Sequence, residues 1–358
     1  MKIIRSLART ICLLGICICS ILSAKEEVVL YNQGNSRVAA ELINIDQTQI
    51  NRDQGVQVRS ILSTSPDAVQ EEWRFRFQQP FLQKWQHLFI EVTFLDKGAG
   101  VIQPKLLSND AFSGTWAEPV RAVSFTRLNT GKIRSALFEF VPAAVDWQAS
   151  AHVHLKIAGL QHLVEVRALA QVTPASWNAL RDRVPVEVQP MVKLERAMQI
   201  NCTVGIADVG NPPPLEKSLD NVREYAPLAK VLGFTSIECF VRWDMIEPQP
   251  GVFDFSHYDR LVAAIQRYKL KWFPNLVITS AFALPSWFFE SNEYTPFRCV
   301  EHDQINQSPS IWNEHNRKHV VRVLHAFGAH YNPMGVLEAV RLRSEGTRLN
   351  SSHRIRSR

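Results

Sequence analysis

Near residue 200 the hydrophobic period of the chain changes, and no single packed layer accommodates both periods. Before that point, apolar and polar residues alternate over short runs. Trp73-Arg74-Phe75-Arg76-Phe77 and His152-Val153-His154-Leu155-Lys156-Ile157 each place one class on one side of an extended chain. After it, apolar residues recur at helical spacing, as in Val222, Tyr225, Leu228 and Leu232, between short apolar runs. A chain of 358 residues has length for two ordinary domains, one for each period.

The first part predicts strands at 28–31, 56–62, 73–77, 87–94, 100–107, 121–127, 133–140, 152–157 and 163–170. Many short strands punctuated by Gly, Asp, Asn and Pro turns predict an all-β sandwich, jelly-roll-like, over 25–195. The stretch 171–196 opens with Pro174-Ala175-Ser176-Trp177 and is interrupted by Pro185 and Pro190, so it reads as a helical connector with a domain boundary near 190–200.

The second part predicts a strand at 198–204, a helix at 215–232 closed by Gly233, a strand at 236–241 and a helix at 255–268. A strand at 271–279, a helix at 316–331 and a strand at 335–342 come next. This alternation is that of a parallel α/β fold. From Arg343 the apolar period is lost; 343–358 reads as a basic tail foreign to the fold, with the natural reading frame expected to end after Leu342.

The N-terminus reads as an export signal over 1–24. Lys2, Arg5 and Arg9 precede an apolar run, 11–22, that ends at Ser23-Ala24. A run of about 12 residues is too short for a bilayer-spanning helix, so a secreted or periplasmic protein is expected, without stable membrane insertion after cleavage. Ile16 and Ile18 stand where a lipoprotein cut before Cys17 or Cys19 needs a small residue. The overall charge of +6 is concentrated at the ends: the leader carries +3 and residues 341–358 carry +5, leaving −2 for the body. That balance argues against a nucleic-acid partner.

Cys12, Cys17 and Cys19 belong to the leader, and Cys202, Cys239 and Cys299 are scattered. They form no disulfide framework and have no metal-ligand spacing. No Gly-rich phosphate loop or nucleophile elbow is seen, and His302, His325 and His330 stand alone. No metal or other cofactor is expected.

The segment Cys239-Phe240-Val241-Arg242-Trp243-Asp244-Met245-Ile246-Glu247-Pro248-Gln249-Pro250-Gly251-Val252-Phe253-Asp254-Phe255 ends a predicted strand in a polar-aromatic cluster and then enters a loop before a helix. It resembles the strand-one region of (β/α)8-barrel glycosidases, namely the β-galactosidases of glycoside hydrolase family 42 and the β-amylase-like proteins of family 14. The resemblance continues through Lys271-Trp272-Phe273-Pro274-Asn275 to Pro285-Ser286-Trp287, and through Trp312-Asn313 and Tyr331-Asn332-Pro333, covering about 200–342. It implies a TIM-type barrel over 196–342. A full barrel takes about 250 residues, so the barrel expected within this chain is incomplete. Phe240 stands where the β-amylase family carries an Asp, which favours a β-galactosidase-like exo-glycosidase over starch cleavage.

The same resemblance implies an oligo- or polysaccharide partner, with Arg242, Trp243, Glu247, Asn275 and Trp287 as substrate-binding residues. Arg242 and Trp243 fall at the carboxyl end of a strand, where barrel enzymes place their sites. Trp243 offers a sugar platform and Arg242 offers donors to hydroxyls, while Glu247 also reads as a carboxylate that fixes the loop. Trp287 reads equally as a packing residue. Phe253 and Phe255 read as core aromatics.

Glycosidases need two carboxyl groups. The resemblance implies one after strand four and one after strand seven. Glu345, just past the 335–342 strand, is the catalytic candidate, Glu338 reads as an ordinary strand residue, and the second carboxylate has no candidate. The stretch Phe89-Ile90-Glu91-Val92-Thr93-Phe94-Leu95-Asp96-Lys97-Gly98 resembles the strand-and-turn segment of carbohydrate-binding jelly rolls. Trp116, Thr130-Gly131-Lys132 and 136–140 match the later strands of such modules. A non-catalytic carbohydrate-binding protein is therefore the alternative reading, and an exported structural or adhesion protein the third.

Overall fold

The computed structural model describes residues 27–32, 40–42, 48–53, 56–61, 72–77, 82, 85–107, 116–145, 152–191, 214–299, 303–310 and 312–343. The expected leader, the 198–204 strand, Cys202, His302 and Glu345 with the tail beyond Arg343 lie outside these residues. The chain divides into two compact units, Met1–Val184 and Pro185–Arg358. The division comes earlier than the expected 190–200. Val186 already packs against the second core, and the Met191 amide donates to the Val231 carbonyl at 2.7 Å.

The first unit contains β1 (Glu27–Asn32), β2 (Ala40–Leu42), β3 (Thr48–Asp53), β4 (Val56–Ile61), β5 (Glu72–Phe77), β6 (Leu88–Leu95), β7 (Ala99–Val101), β8 (Gln103–Leu107), β9 (Arg121–Val123), β10 (Thr126–Leu128), β11 (Ile133–Phe140), β12 (Val153–Ala158), β13 (His162–Leu169) and the helix α1 (Pro174–Asp182). One sheet runs β3-β4-β13-β6-β11-β9, with β1 also paired to β13. A second runs β2-β5-β12-β8, and all of these pairings are antiparallel.

The period-2 pattern decides which faces meet. Trp73, Phe75 and Phe77 of β5 and Leu155 and Ile157 of β12 face Leu88, Ile90, Val92 and Phe94 of β6 and Phe138 and Phe140 of β11 in one buried cluster. This is the expected sandwich. Each such aromatic side chain buries ~150–250 Å², worth several kcal/mol at ~25 cal/mol per Å². The Trp73 indole N–H, taken into that core, donates to the Leu160 carbonyl at 2.8 Å.

Two expected strands are each broken in two. Ser124 takes a left-handed φ of 58°, so 121–127 divides into β9, which joins the large sheet, and β10, which pairs with β7. The break is stabilised by Asp96, fully buried after β6. It accepts from the Leu128 amide at 2.7 Å, the Thr130 hydroxyl at 2.7 Å and Arg134 at 3.0 Å. The expected 100–107 strand divides into β7 and β8 at Ile102, whose amide donates to the Phe125 carbonyl at 2.9 Å. Gly159, in the β12–β13 turn, has φ +72°, and an added Cβ would lie 2.1 Å from the Val101 carbonyl oxygen, so only glycine fits.

The second unit contains α2 (Leu215–Val231), β14 (Ser236–Arg242), α3 (Trp243–Ile246), α4 (Ser256–Gln266), β15 (Lys271–Val277), α5 (Ser286–Phe289), a hairpin of β16 (Pro296–Cys299) and β17 (Gln304–Pro309), α6 (Glu314–Tyr331) and β18 (Arg341–Arg343). β14, β15 and β18 form a parallel sheet in chain order. Sequential order without reversal is the winding of a barrel segment and equally of one half of a doubly wound sheet. Three strands do not close a barrel, so the complete barrel of the resemblance is not present among the described residues.

The last strand is shorter than expected. Gly335 turns the chain with φ 62°; Trp272 and its neighbours then pair with Val336 and Glu338 before the chain leaves the sheet and returns at Arg341. Glu338 therefore lies in an irregular stretch ahead of β18.

Alternation gives this sheet two unlike faces. Ile237, Cys239 and Val241 of β14 with Trp272 and Leu276 of β15 meet Val222 and Ala226 of α2, Leu261 and Ile265 of α4 and Phe327 and Tyr331 of α6. On the other face, Phe240 pairs across with Asn275, and Asn275 with Arg341. Glu238 and Arg242 share that face.

Candidate functional site

In a parallel α/β sheet, ligands gather beyond the carboxyl ends of the strands. Here those ends are Arg242, Val277 and Arg343. Two loops leave this end, one from Arg242 to Phe255 and one from Ile278 to Trp287.

Arg242 is 9% exposed. Its backbone amide donates to the Tyr258 hydroxyl at 3.0 Å, fixing the strand end to α4. Its guanidinium grips both oxygens of Asp244, Nε to Oδ1 at 2.9 Å, and also donates to the Phe282 carbonyl in the second loop. The Asp244 hydrogen bonds, opposed by burial, raise the arginine above its usual pKa. Arg242 thus stands where a site residue is expected and ties the two loops together.

Trp243 corrects an expectation. α3 begins at this residue and turns its side chain beneath the loop, leaving it 1% exposed. The ring packs edge-on against Trp287 at 5.9 Å and tilted against Phe288 at 4.8 Å, and its Nε1 donates to Glu247 at 2.7 Å. A ring covered on this scale is a core residue and has no face open to a sugar.

Glu247 is likewise an internal clamp. Its carboxylate is fully buried and accepts from Trp243, from the Gly251 amide at 2.7 Å and from both terminal nitrogens of Arg322 on α6. With both oxygens occupied it fixes the loop and is not free to meet substrate.

The rest of the Glu-Pro-x-Pro-Gly-x-Phe-Asp-Phe run has a similar local logic. Gly251 supplies φ 76° at the turn, Phe253 and Phe255 stack at 6.0 Å, and Asp254 accepts from the Ser256 amide at 2.9 Å to start α4. The Ser256 hydrogen bonds lower the Asp254 pKa.

Trp287 is half-buried, at the start of α5, and its Nε1 donates to the Glu247 carbonyl at 3.0 Å. It is the partly open member of the two-tryptophan pair. Asn275 is 4% exposed on the polar face of the sheet. Its amide donates to Glu238 at 2.8 Å, while its Oδ1 is buried without a hydrogen-bond partner among the described residues. Arg341 approaches the same Glu238 oxygen at 3.6 Å.

Glu238 escapes a reading of the sequence alone. Its one signal is a charged residue in the interior of an apolar strand, in phase with Arg242. Asp244 is engaged by Arg242, Glu247 by Arg322, and Glu238, inside β14, by Asn275, whereas Glu290 at the end of α5 is exposed. Among the described residues no group of His, Cys, Asp and Glu is arranged to hold a metal, and no helix is long and apolar enough to cross a membrane.

A family model for the β-galactosidases of glycoside hydrolase family 42 matches residues 217–353, spanning α2 to beyond β18 and including Glu345. No curated protein sequence matches the chain. Among solved structures, the catalytic domain of a β-amylase from Paenibacillus polymyxa aligns with TM-score 0.28 and 20% identity over 31% of this chain. The chain spans 30% of that domain. A carbohydrate-binding module described for specific mannan recognition, TmCBM27, aligns with TM-score 0.21 and 16% identity over 40% of this chain and 91% of its own. A module specific for non-crystalline cellulose, CBM28, aligns with TM-score 0.24 and 12% identity over 38% of this chain and 86% of its own. The family match, falling on helices and parallel strands in barrel order, makes residues 217–353 a glycoside hydrolase-like region.

Proposed function

We propose that this chain is part of an exported glycoside hydrolase, β-galactosidase-like, whose sugar cleft lies over the carboxyl ends of β14 and β15. The family match over 217–353 carries this reading. Arg242 and Trp287 at the strand ends, with Asn275 one row deeper on the polar face, are the residues of this chain assigned to the cleft. Trp243 and Glu247 act from below by fixing the loops. A substrate with many hydroxyls suits such a surface: the unpartnered Oδ1 of Asn275 can accept from a hydroxyl, Arg242 holds the rim loops in place, and the exposed part of Trp287 supplies an apolar edge.

The chemistry requires one carboxylic acid to protonate the leaving oxygen and one carboxylate as nucleophile or base. Asp244, Glu247 and Glu238 are each held by a structural partner, which leaves none of the three free for either role. Glu345, after β18, is the first member by its place beyond a strand end.

The full-length protein is expected to release nitrophenol from a nitrophenyl β-galactoside, with Glu345→Gln lowering kcat at least about 100-fold. Absence of hydrolysis on a panel of nitrophenyl glycosides, with glycan binding retained, would replace this reading by that of a non-catalytic carbohydrate-binding protein. The engagement of Asp244, Glu247 and Glu238 is the observation that favours that second reading.

A further inference from the structure

The outer face of the large sheet in the first unit carries a cavity of about 340 Å³, far in sequence from the strand ends discussed above. Its wall is one row of the sheet. Phe89 of β6 is the cross-strand partner of Glu139 of β11, and Glu139 is the partner of Arg121 of β9. The opposite wall is the connector from β13 into α1, with Gln171, Thr173 and Asn178. Phe89 and Trp177, 8% and 5% exposed, form the apolar floor.

The charges in this cavity are unevenly matched. Glu139 is met by His87 Nδ1 at 3.4 Å. Arg121, an exposed residue, places its Cζ over the Trp177 ring, 4.1 Å from the centroid, and its guanidinium makes no ion pair or hydrogen bond among the described residues. A guanidinium already resting against an indole loses less side-chain freedom when it binds, and its donor edge forms a fork matched to a carboxylate. Around it stand the amides of Gln171 and Asn178, groups suited to vicinal hydroxyls, while the Thr173 hydroxyl caps α1. The volume sits at the low end of small-ligand clefts, ~300–1,000 Å³, room for about one sugar unit.

We propose that this cavity is a second carbohydrate site, taking the terminal sugar of an acidic glycan through a carboxylate that pairs with Arg121. The proposal rests on the carbohydrate reading of the chain and adds the charge class and the anchoring residue.

The test is calorimetric titration of the full chain with oligogalacturonate and oligoglucuronate, and with neutral galacto- and manno-oligosaccharides of equal length. The uronates are expected to bind, with affinity falling as salt rises, and Arg121→Gln is expected to weaken that binding at least about tenfold while leaving the thermal midpoint within a few degrees. Arg121→Lys, which keeps the charge without the fork, is expected to fall between the two and serves if the glutamine variant does not fold. Binding of neutral oligosaccharides with equal strength, or uronate binding indifferent to Arg121, overturns this site and leaves the carbohydrate reading standing. Binding of no glycan overturns both.

Discussion

The guanidinium of Arg322, on the long helix α6, holds the carboxylate of Glu247, 75 residues earlier in the loop after β14, with Nη2 to Oε2 at 3.0 Å. The carboxylate is fully buried, whereas the arginine side chain keeps 35% of its exposure. The cost of breaking the pair therefore depends on which partner is removed. Glu247→Ala leaves the Trp243 indole, the Gly251 amide and Arg322 without their acceptor. It should lower stability by ~3–5 kcal/mol, as for other broken buried pairs. Arg322→Met leaves the fully buried Glu247 carboxylate without its countercharge and should cost more, at the top of that ~3–5 kcal/mol range. Urea midpoints of the two variants check the order; the reverse order would contradict it.

The two tryptophans separate by role. Trp243→Ala should cost ~3–5 kcal/mol, as for other fully buried aromatic truncations. Trp287→Ala, at a half-buried position, should cost less and mainly affect sugar affinity. Thermal melts paired with glycan titrations distinguish the two; a Trp243 variant of unchanged stability would contradict the core assignment.

Burial pushes the Cys239 thiol up to about 12 from an ordinary 9.0, with a partial offset from Trp272. Burial also raises the Tyr258 phenol. Both groups ionise first in the unfolded chain. Their contribution to stability is therefore intact below about pH 9 and is lost as pH rises through the folded values. The unfolding free energy should fall between pH 9 and 11, with Cys239→Ala flattening the slope by up to about 1.4 kcal/mol per pH unit. Peptide-resolved iodoacetamide labelling at pH 8 should leave Cys239 unmodified in the native protein and modify it in urea.

Two glycines with similar φ should respond differently to substitution. Gly159→Ala drives a Cβ into the Val101 carbonyl and should cost at least about 2–3 kcal/mol. Gly131, with φ +68° and nothing within 4 Å of an added Cβ, should accept Asn for under about 1 kcal/mol. Denaturant midpoints of the two variants give the comparison.

The fold is legible in the sequence where burial and period coincide. β5, β6, β11 and β12 have one buried face and one more polar face, and the alternation places them within a residue or two. β3 is not legible, because its residues are exposed or half-exposed throughout and no apolar alternation marks it. The site is legible as a place on the chain but not as a set of directions. The Glu247-to-Phe255 run marks a strand-end loop, yet only the immediate start of α3 decides that Trp243 turns inward and that Glu247 goes with it. Glu238 is hidden for the opposite reason: it lies inside a strand, and the polar face of the sheet becomes visible only once β14, β15 and β18 are in register.

A sugar cleft over the ends of β14 and β15 can be probed by titrating the full-length protein with galacto-oligosaccharides, comparing wild type with Trp287→Ala and Asn275→Ala. Affinity should fall at least about tenfold in each variant, with both still folded by circular dichroism. Undiminished binding in both folded variants would contradict that cleft.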